Sequence, residues 1–331
     1  MLNVISLLGP SRCGKGAIIP IITAAKNIEL PFNTPDLDWY VDAYNAGDIS
    51  LKALCRLASA YMLCYSWYGH LGRHINLRAN DYYSLQRMLP EVDLGSKHGR
   101  LDKDGEFVDF LDLNDDKAIW NVFQWDIPPA AFEMIDAEFP IHLNPIYCYR
   151  SPYYLFTSWI SSNRVKRSLA LSRMFKYNAM PKLKNIDLRA QFEDAVNDNE
   201  VTFIESLGTY KYHDHDFSGV RITREEETYL LDLLEETRSY GAHWQDQGML
   251  VYFERIVSDP RGFVEYLKDR FEVTFHADKL EKGIILMDER PMKEVLETDF
   301  GKMRATLELL GCEENVVLKV LELQSNYIEN F

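Results

Sequence analysis

Four short apolar runs, Leu2–Leu8 and residues 119–125, 145–149 and 249–253, are each followed by a turn and then by a helical pattern. Apolar runs of this length bounded by turn residues predict buried strands. Their alternation with helices predicts βαβ units around a parallel sheet. Between the first two runs lies a long, mostly helical region, residues 36–113, broken by a glycine- and charge-rich stretch at 95–106. It reads as an insertion covering the carboxyl edge of the sheet. Residues 223–243 form an amphipathic helix with Leu230, Leu231, Leu233 and Leu234 on its apolar side. No internal repeat is present. The fold class expected is therefore three-layer α/β, a parallel sheet flanked by helices, as one domain over residues 1–331.

Composition narrows this picture. At 331 residues and 47% hydrophobic, the chain has enough apolar material for a sizeable core. The most apolar stretch, residues 51–68, is interrupted by Lys52 and Arg56 and reads as a buried helix, not a membrane span. The first apolar run is about seven residues long, has no basic leader and does not read as a signal peptide. Five cysteines, Cys13, Cys55, Cys64, Cys148 and Cys312, are scattered without paired spacing, which points to a reducing, cytoplasmic setting. A net charge of -15 argues against a non-specific nucleic-acid binder or a protein held on an anionic membrane. An anionic small molecule remains compatible, because local cations outweigh a global charge screened over about 8 to 10 Å.

The chemistry begins at the end of the first run, in Gly9-Pro10-Ser11-Arg12-Cys13-Gly14-Lys15-Gly16. A glycine-rich turn between a strand and a helix gathers backbone N–H groups into one concavity, where the helix dipole and a lysine favour a phosphate. The spacing fits G-x-x-x-x-G-K, but Gly16 stands where a nucleoside triphosphatase has the Ser or Thr that holds magnesium. That combination suggests a phosphorylated donor that is not metal-chelated. A plain left-handed turn is the structural alternative. Pro20, inside the following helix, predicts a short helix or a kink.

Ligands of open α/β sheets sit outside the carboxyl ends of strands, so the residues after each run are candidates. After the second run comes Asp126-Ile127-Pro128-Pro129; after the third come Arg150-Ser151-Pro152 and a helix carrying Ser158. Pro152 suits a first helical position, and Ser158 falls one turn beyond Tyr154 on the same face. Arg150 suits a bidentate phosphate contact and Ser158 a single hydroxyl bond. Pairing of Arg150 with a carboxylate, and plain packing of Ser158, is the alternative.

At these residues the chain resembles the sulfotransferase family, which transfers sulfuryl groups from 3′-phosphoadenosine 5′-phosphosulfate. Arg12-Cys13-Gly14-Lys15-Gly16 looks like the family loop that grips the 5′-phosphosulfate. Tyr147-Cys148-Tyr149-Arg150-Ser151-Pro152 with Ser158-Trp159 looks like the 3′-phosphate element. Val251-Tyr252-Phe253-Glu254-Arg255-Ile256-Val257-Ser258-Asp259-Pro260 looks like the late structural signature. The resemblance covers roughly residues 1–273. It implies a sulfotransferase with that nucleotide as co-substrate, no metal, and a small-molecule or carbohydrate acceptor. It further implies donor contacts from Arg12, Cys13, Gly14, Lys15, Gly16, Arg150 and Ser158. Lys15 departs from the threonine usual there, and either Arg12 or Lys15 would stabilise the leaving group. Where cytosolic relatives carry a histidine base, the aligned residue is Asp126. A carboxylate with an ordinary pKa of about 3.9 needs burial to act so, and capping the helix of residues 128–139 is its alternative role. Rival bases are Asp36, Asp38, His70 and His74.

Other features read more plainly. His213-Asp214-His215-Asp216 lacks further ligands at metal spacing. Glu225-Glu226-Glu227 complements a helix dipole behind Thr223. Phe300-Gly301-Lys302-Met303-Arg304 faintly resembles the family's C-terminal basic patch but reads first as a solvated helix face. His243 and Trp244 are expected to pack beside the late strand. A magnesium-dependent P-loop kinase, with Asp126 as metal ligand, and a non-catalytic nucleotide-binding protein of sulfotransferase type are the competing functions.

Overall fold

The computed structural model describes residues 1–10, 12–28, 32–33, 35–45, 47–70, 120–125, 127–161, 224–288 and 296–331. Its centre is strand β1 (Leu2–Leu8), hydrogen-bonded on one side to β3 (Trp120–Gln124) and on the other to β4 (Ile141–Tyr149). A two-residue β2 (Phe32–Asn33) lies outside β3, and β5 (Leu250–Tyr252) lies outside β4. The sheet order is β2-β3-β1-β4-β5, with every pairing parallel. Strands buried on both faces read as continuous apolar runs, which is why the runs at β1, β3 and β5 stand out in the sequence.

Along β1 the side chains alternate between two cores. Ile5 and Leu7 join one cluster with α1 (Lys15–Ile22) and α5 (Pro152–Ser161), whereas Leu2, Val4 and Leu8 join a second with α2 (Pro35–Asn45), α3 (Leu51–His70) and α4 (Pro129–Glu138). The chain is thus three-layered α/β. The described part of the expected cover, α2 and α3, packs on a sheet face through Leu37, Leu54, Ala58 and Met62; His74 and the break at 95–106 lie outside the described residues. In α6 (Arg224–Asp246), Leu230 and Leu234 enter the first cluster while Trp244 enters the second, edge-on to Phe132 with ring centroids 5.1 Å apart.

The rest of the first layer comes from α7 (Phe253–Ser258), α8 (Pro260–Phe271), α9 (Ala277–Asp288), α10 (Phe300–Leu309) and α11 (Glu314–Asn330). Their starts follow local chemistry. Asp259 caps α8 by accepting the Gly262 N–H at 2.9 Å, with Pro260 in the first turn, and Asp299 caps α10 by accepting the Lys302 N–H at 3.0 Å. At α11 the Glu313 N–H is taken by buried Glu227 at 2.8 Å. One acid of the 225–227 run is therefore a tertiary cap instead of a solvated dipole partner.

Strand β4 starts four residues before the apolar run that predicts it and passes through Pro145, opposite Ser6 of β1. The Tyr147 N–H donates to Met249 O, so amides of that parity face the β5 side. Pro145 lies ahead of the first β4–β5 pair, Tyr147 with Leu250, and its missing N–H leaves no ladder bond unmade among the described residues. The interruption at Pro20 also resolves simply: α1 is eight residues long and ends two residues later. Helix α9 crosses it so closely that a Cβ at Gly283 would lie 3.0 Å from Pro20 O and 3.2 Å from Ile21 N. Among the described residues, no helix is long and apolar enough to cross a membrane.

Backbone atoms cannot yield as a side chain can, so Gly283→Val is expected to lower the unfolding free energy by about 1–3 kcal/mol. Denaturant unfolding with an unchanged slope checks it.

Candidate anion-binding site

Strands β1 and β3 are followed by helices on opposite sheet faces, α1 and α4. Such a switch opens a crevice outside the carboxyl ends of the strands. Its floor is the glycine loop. In register, Leu8 of β1 pairs with Tyr147 of β4, which sets the next residues, Gly9 and Cys148, against each other. A Cβ on Gly9 would lie 2.4 Å from Cys148 O, and one on Gly14 would lie 2.2 Å from the Phe253 ring. Both glycines have positive φ, +116° and +102°, and Arg12 between them holds φ of 75°. A left-handed non-glycine residue costs about 1–3 kcal/mol and is sustained only where its surroundings fix it.

Those surroundings are hydrogen bonds to the loop carbonyls. Arg150 Nη1 donates to Arg12 O at 2.8 Å, Cys148 Sγ donates to Cys13 O at 3.1 Å, and Lys15 Nζ donates back to Gly9 O. Inside the loop, the Cys13 N–H goes to Pro10 O at 3.2 Å and the Ala17 N–H to Gly14 O at 2.8 Å. The expected donor amide at Cys13 is therefore engaged within the loop. The Cys13–Gly14 peptide turns its C=O toward β4, so the trans geometry turns the Gly14 N–H away from it. Gly14 is the left-handed N-cap of α1 and Gly16 lies in its first turn, where backbone N–H groups have no intrahelical acceptor and favour an anion. A hydrogen bond with the Cys13 side chain, together with burial, holds the Cys148 thiol well above its ordinary pKa. It stays a neutral donor and not a reactive thiolate.

Arg150 is buried with its guanidinium 5.6 Å from the centroid of Tyr154 and 5.5 Å from that of Phe253. Aromatic faces on this scale favour a cation, more so when water is excluded. The structure thus brings together the glycine loop, Arg150 and the late signature at Phe253, which are far apart in sequence. Ser158 lies half-buried one turn beyond Tyr154 on α5. Asp126 falls outside the described residues, as do His74 and the 213–216 cluster. The N-cap of α4 is Pro128, two residues past Asp126. Asp36, Asp38 and His70 lie within α2 and α3. The basic residues of 300–304 are engaged elsewhere: Lys302 pairs with Glu297 at 2.5 Å and Arg304 with Glu314 at 3.0 Å.

A buried polar group stands directly behind Arg150. Glu254 accepts the Ser151 N–H at 3.1 Å through Oε1 and the Tyr327 hydroxyl through Oε2, and Ser151 Oγ donates to Gln324 Oε1 at 2.7 Å. Burial pushes the Glu254 carboxyl up, against the Tyr327 hydrogen bond, the Arg150 charge and the Ser151 N–H, which favour the ionised form. Gln324 and Tyr327 are not apparent from the sequence motifs. Their one signal is an amide on the buried stripe Val317, Val320, Gln324 and Tyr327 of α11.

Comparison with protein-family models finds no match, and none is found among curated proteins.

Gly14→Ala is expected to cost at least about 2 kcal/mol, combining overpacking against Phe253 with left-handed strain; thermal unfolding checks it. For Glu254 the raised native pKa means that the folded state binds more protons than the unfolded one between the two pKa values. Its contribution to stability therefore falls as pH rises through that window. Relative to Glu254→Gln, the wild-type protein should gain stability on acidification, and paired denaturation curves on either side of the window measure it.

Proposed function

We propose that this protein is a sulfotransferase using 3′-phosphoadenosine 5′-phosphosulfate, with a hydroxyl or amine of a small molecule or carbohydrate as acceptor. The observation that carries the reading is the bond from Arg150 to Arg12 O. That bond joins the two segments that resemble the 5′-phosphosulfate loop and the 3′-phosphate element. In this reading the backbone amides at the start of α1, at Gly14 and Gly16, meet one end of a nucleotide, and Arg150, with Ser158 on α5, offers cation and hydroxyl to the other. Five free thiols support a reducing, cytoplasmic setting.

In this reading Asp126 takes the acceptor proton, the acceptor oxygen or nitrogen forms the new bond to sulfur, and the bond from sulfur to the phosphate oxygen breaks in line. Lys15, already tied across the loop mouth to Gly9 O, and Arg12 meet the charge that develops on the departing phosphate. Positioning and fixed dipoles then supply most of the rate, as in phosphoryl transfer.

The test is calorimetric binding of adenosine 3′,5′-bisphosphate without magnesium. Metal-independent binding that weakens by at least about tenfold in Arg150→Ala is expected from loss of a charge-assisted contact. Binding of ATP only with magnesium, and none of the bisphosphate, would replace the sulfotransferase reading with the kinase one.

A further inference from the structure

Arg150 reaches the glycine loop from the short link between β4 and α5, and the groups that hold this link come from the far end of the chain. Tyr327 of α11 donates its hydroxyl proton to Glu254 Oε2, with Tyr149 O at 3.4 Å as a weaker second acceptor; Glu254 Oε1 in turn holds the Ser151 N–H. Gln324 Oε1, one turn earlier, accepts both Ser151 Oγ at 2.7 Å and the Tyr153 N–H at 3.3 Å, while its Nε2 donates to Glu297 O at 3.2 Å. The backbone is therefore pinned on both sides of Arg150, at 149 and at 151 and 153. Ser151, Glu254, Gln324 and Tyr327 are all buried.

Such a network is a costly way to dock a helix. Apolar side chains at 324 and 327 would seat α11 on the same core at lower desolvation cost. What a buried, fully paired polar cluster adds is a single fixed geometry. We propose that Glu254, Gln324 and Tyr327 are positioning residues through which docking of the C-terminal helix α11 sets the guanidinium of Arg150 against the glycine loop, making anion capture and α11 docking one linked equilibrium. This rests on the reading of that crevice as the nucleotide site. Coupling of this kind is reciprocal, so ligand must protect α11 as much as α11 favours ligand.

The charged and titratable groups facing Glu254 are Arg150 after β4, Tyr149 and Cys148 on β4, and Tyr327 on α11. An anion arriving at Arg150 adds negative potential beside Glu254 and makes protonation of its carboxyl easier. Ligand binding should therefore strengthen on acidification by more than the ligand's own phosphates account for.

The experiment uses the full chain and adenosine 3′,5′-bisphosphate, with Tyr327→Phe, Gln324→Leu and Glu254→Gln compared against Leu318→Ala on the exposed side of α11. Tyr327→Phe and Gln324→Leu are expected to weaken binding by about tenfold with helical circular dichroism unchanged, and Leu318→Ala by less than about twofold. Glu254→Gln should remove the extra pH dependence, and ligand should slow amide exchange in α11 of the wild-type protein. Wild-type affinity in Tyr327→Phe, alongside loss in Arg150→Ala, would overturn the proposal. Should the wild-type protein not bind the bisphosphate, the donor reading fails, and exchange in the ligand-free chain decides the pinning. About tenfold faster exchange at 153 and 154 in Gln324→Leu sustains it, and unchanged exchange removes it.

Discussion

Nothing projects from Gly9 toward Cys148 or from Gly14 toward Phe253, and the site depends on that clearance. Pairing of Leu8 with Tyr147 sets the ends of β1 and β4 level, so the loop leaving β1 must run against β4 within 2.4 Å of where a Cβ would stand. Closeness of that order lets β4 and its link hold the loop by its carbonyls, through Cys148 and Arg150. With its carbonyls bound from behind, the loop keeps a left-handed arginine and a left-handed cap that would otherwise relax. The amides of the α1 start are then oriented by the sheet itself before any ligand arrives, which is the condition for electrostatic stabilisation without reorganisation.

The overall charge of -15 is unfavourable to an anion, but the charges are not evenly distributed around the proposed site. Surface cations such as Arg304, Lys302 and Lys319 are matched with Glu314, Glu297 and Glu235. Exposed pairs of this kind contribute little beyond about 1 kcal/mol and project little field. Arg150 instead lies buried between two aromatic faces and donates to a backbone carbonyl. In a buried setting its charge is screened less by solvent than the acidic surface, whose field falls off within about 8 to 10 Å.

Much of the architecture was legible because the central strands are buried on both faces and read as uninterrupted apolar runs. The same rule hid the first half of β4, where His142 and Asn144 are polar and Pro145 looks like a break; tolerance of that proline depends on where β5 begins, a tertiary fact. Edge strand β2, two residues long, carries no periodicity at all. At the site, the loop and Arg150 were legible because each is bound to its own strand end by local spacing. Gln324 and Tyr327 were not, since their partners around Arg150 and at Glu254 lie between 73 and 178 residues away. A glutamine in an amphipathic stripe signals a buried amide without saying whose N–H or hydroxyl it meets.

The choice of glutamate at 254 carries the same logic one step further. An amide there would carry a lower desolvation cost than a carboxylate that burial drives toward protonation, but it could accept at only one of its two terminal atoms, whereas the carboxylate accepts Ser151 N–H on one oxygen and the Tyr327 hydroxyl on the other. The carboxylate adds a negative charge next to a buried guanidinium that already gives one hydrogen bond to the loop. Ionised, Glu254 lowers the cost of keeping Arg150 charged away from water; protonated, it leaves that charge to an incoming anion. In the proposed anion site, a group that titrates suits both states, holding the cation when the site is empty and yielding its charge to a bound anion.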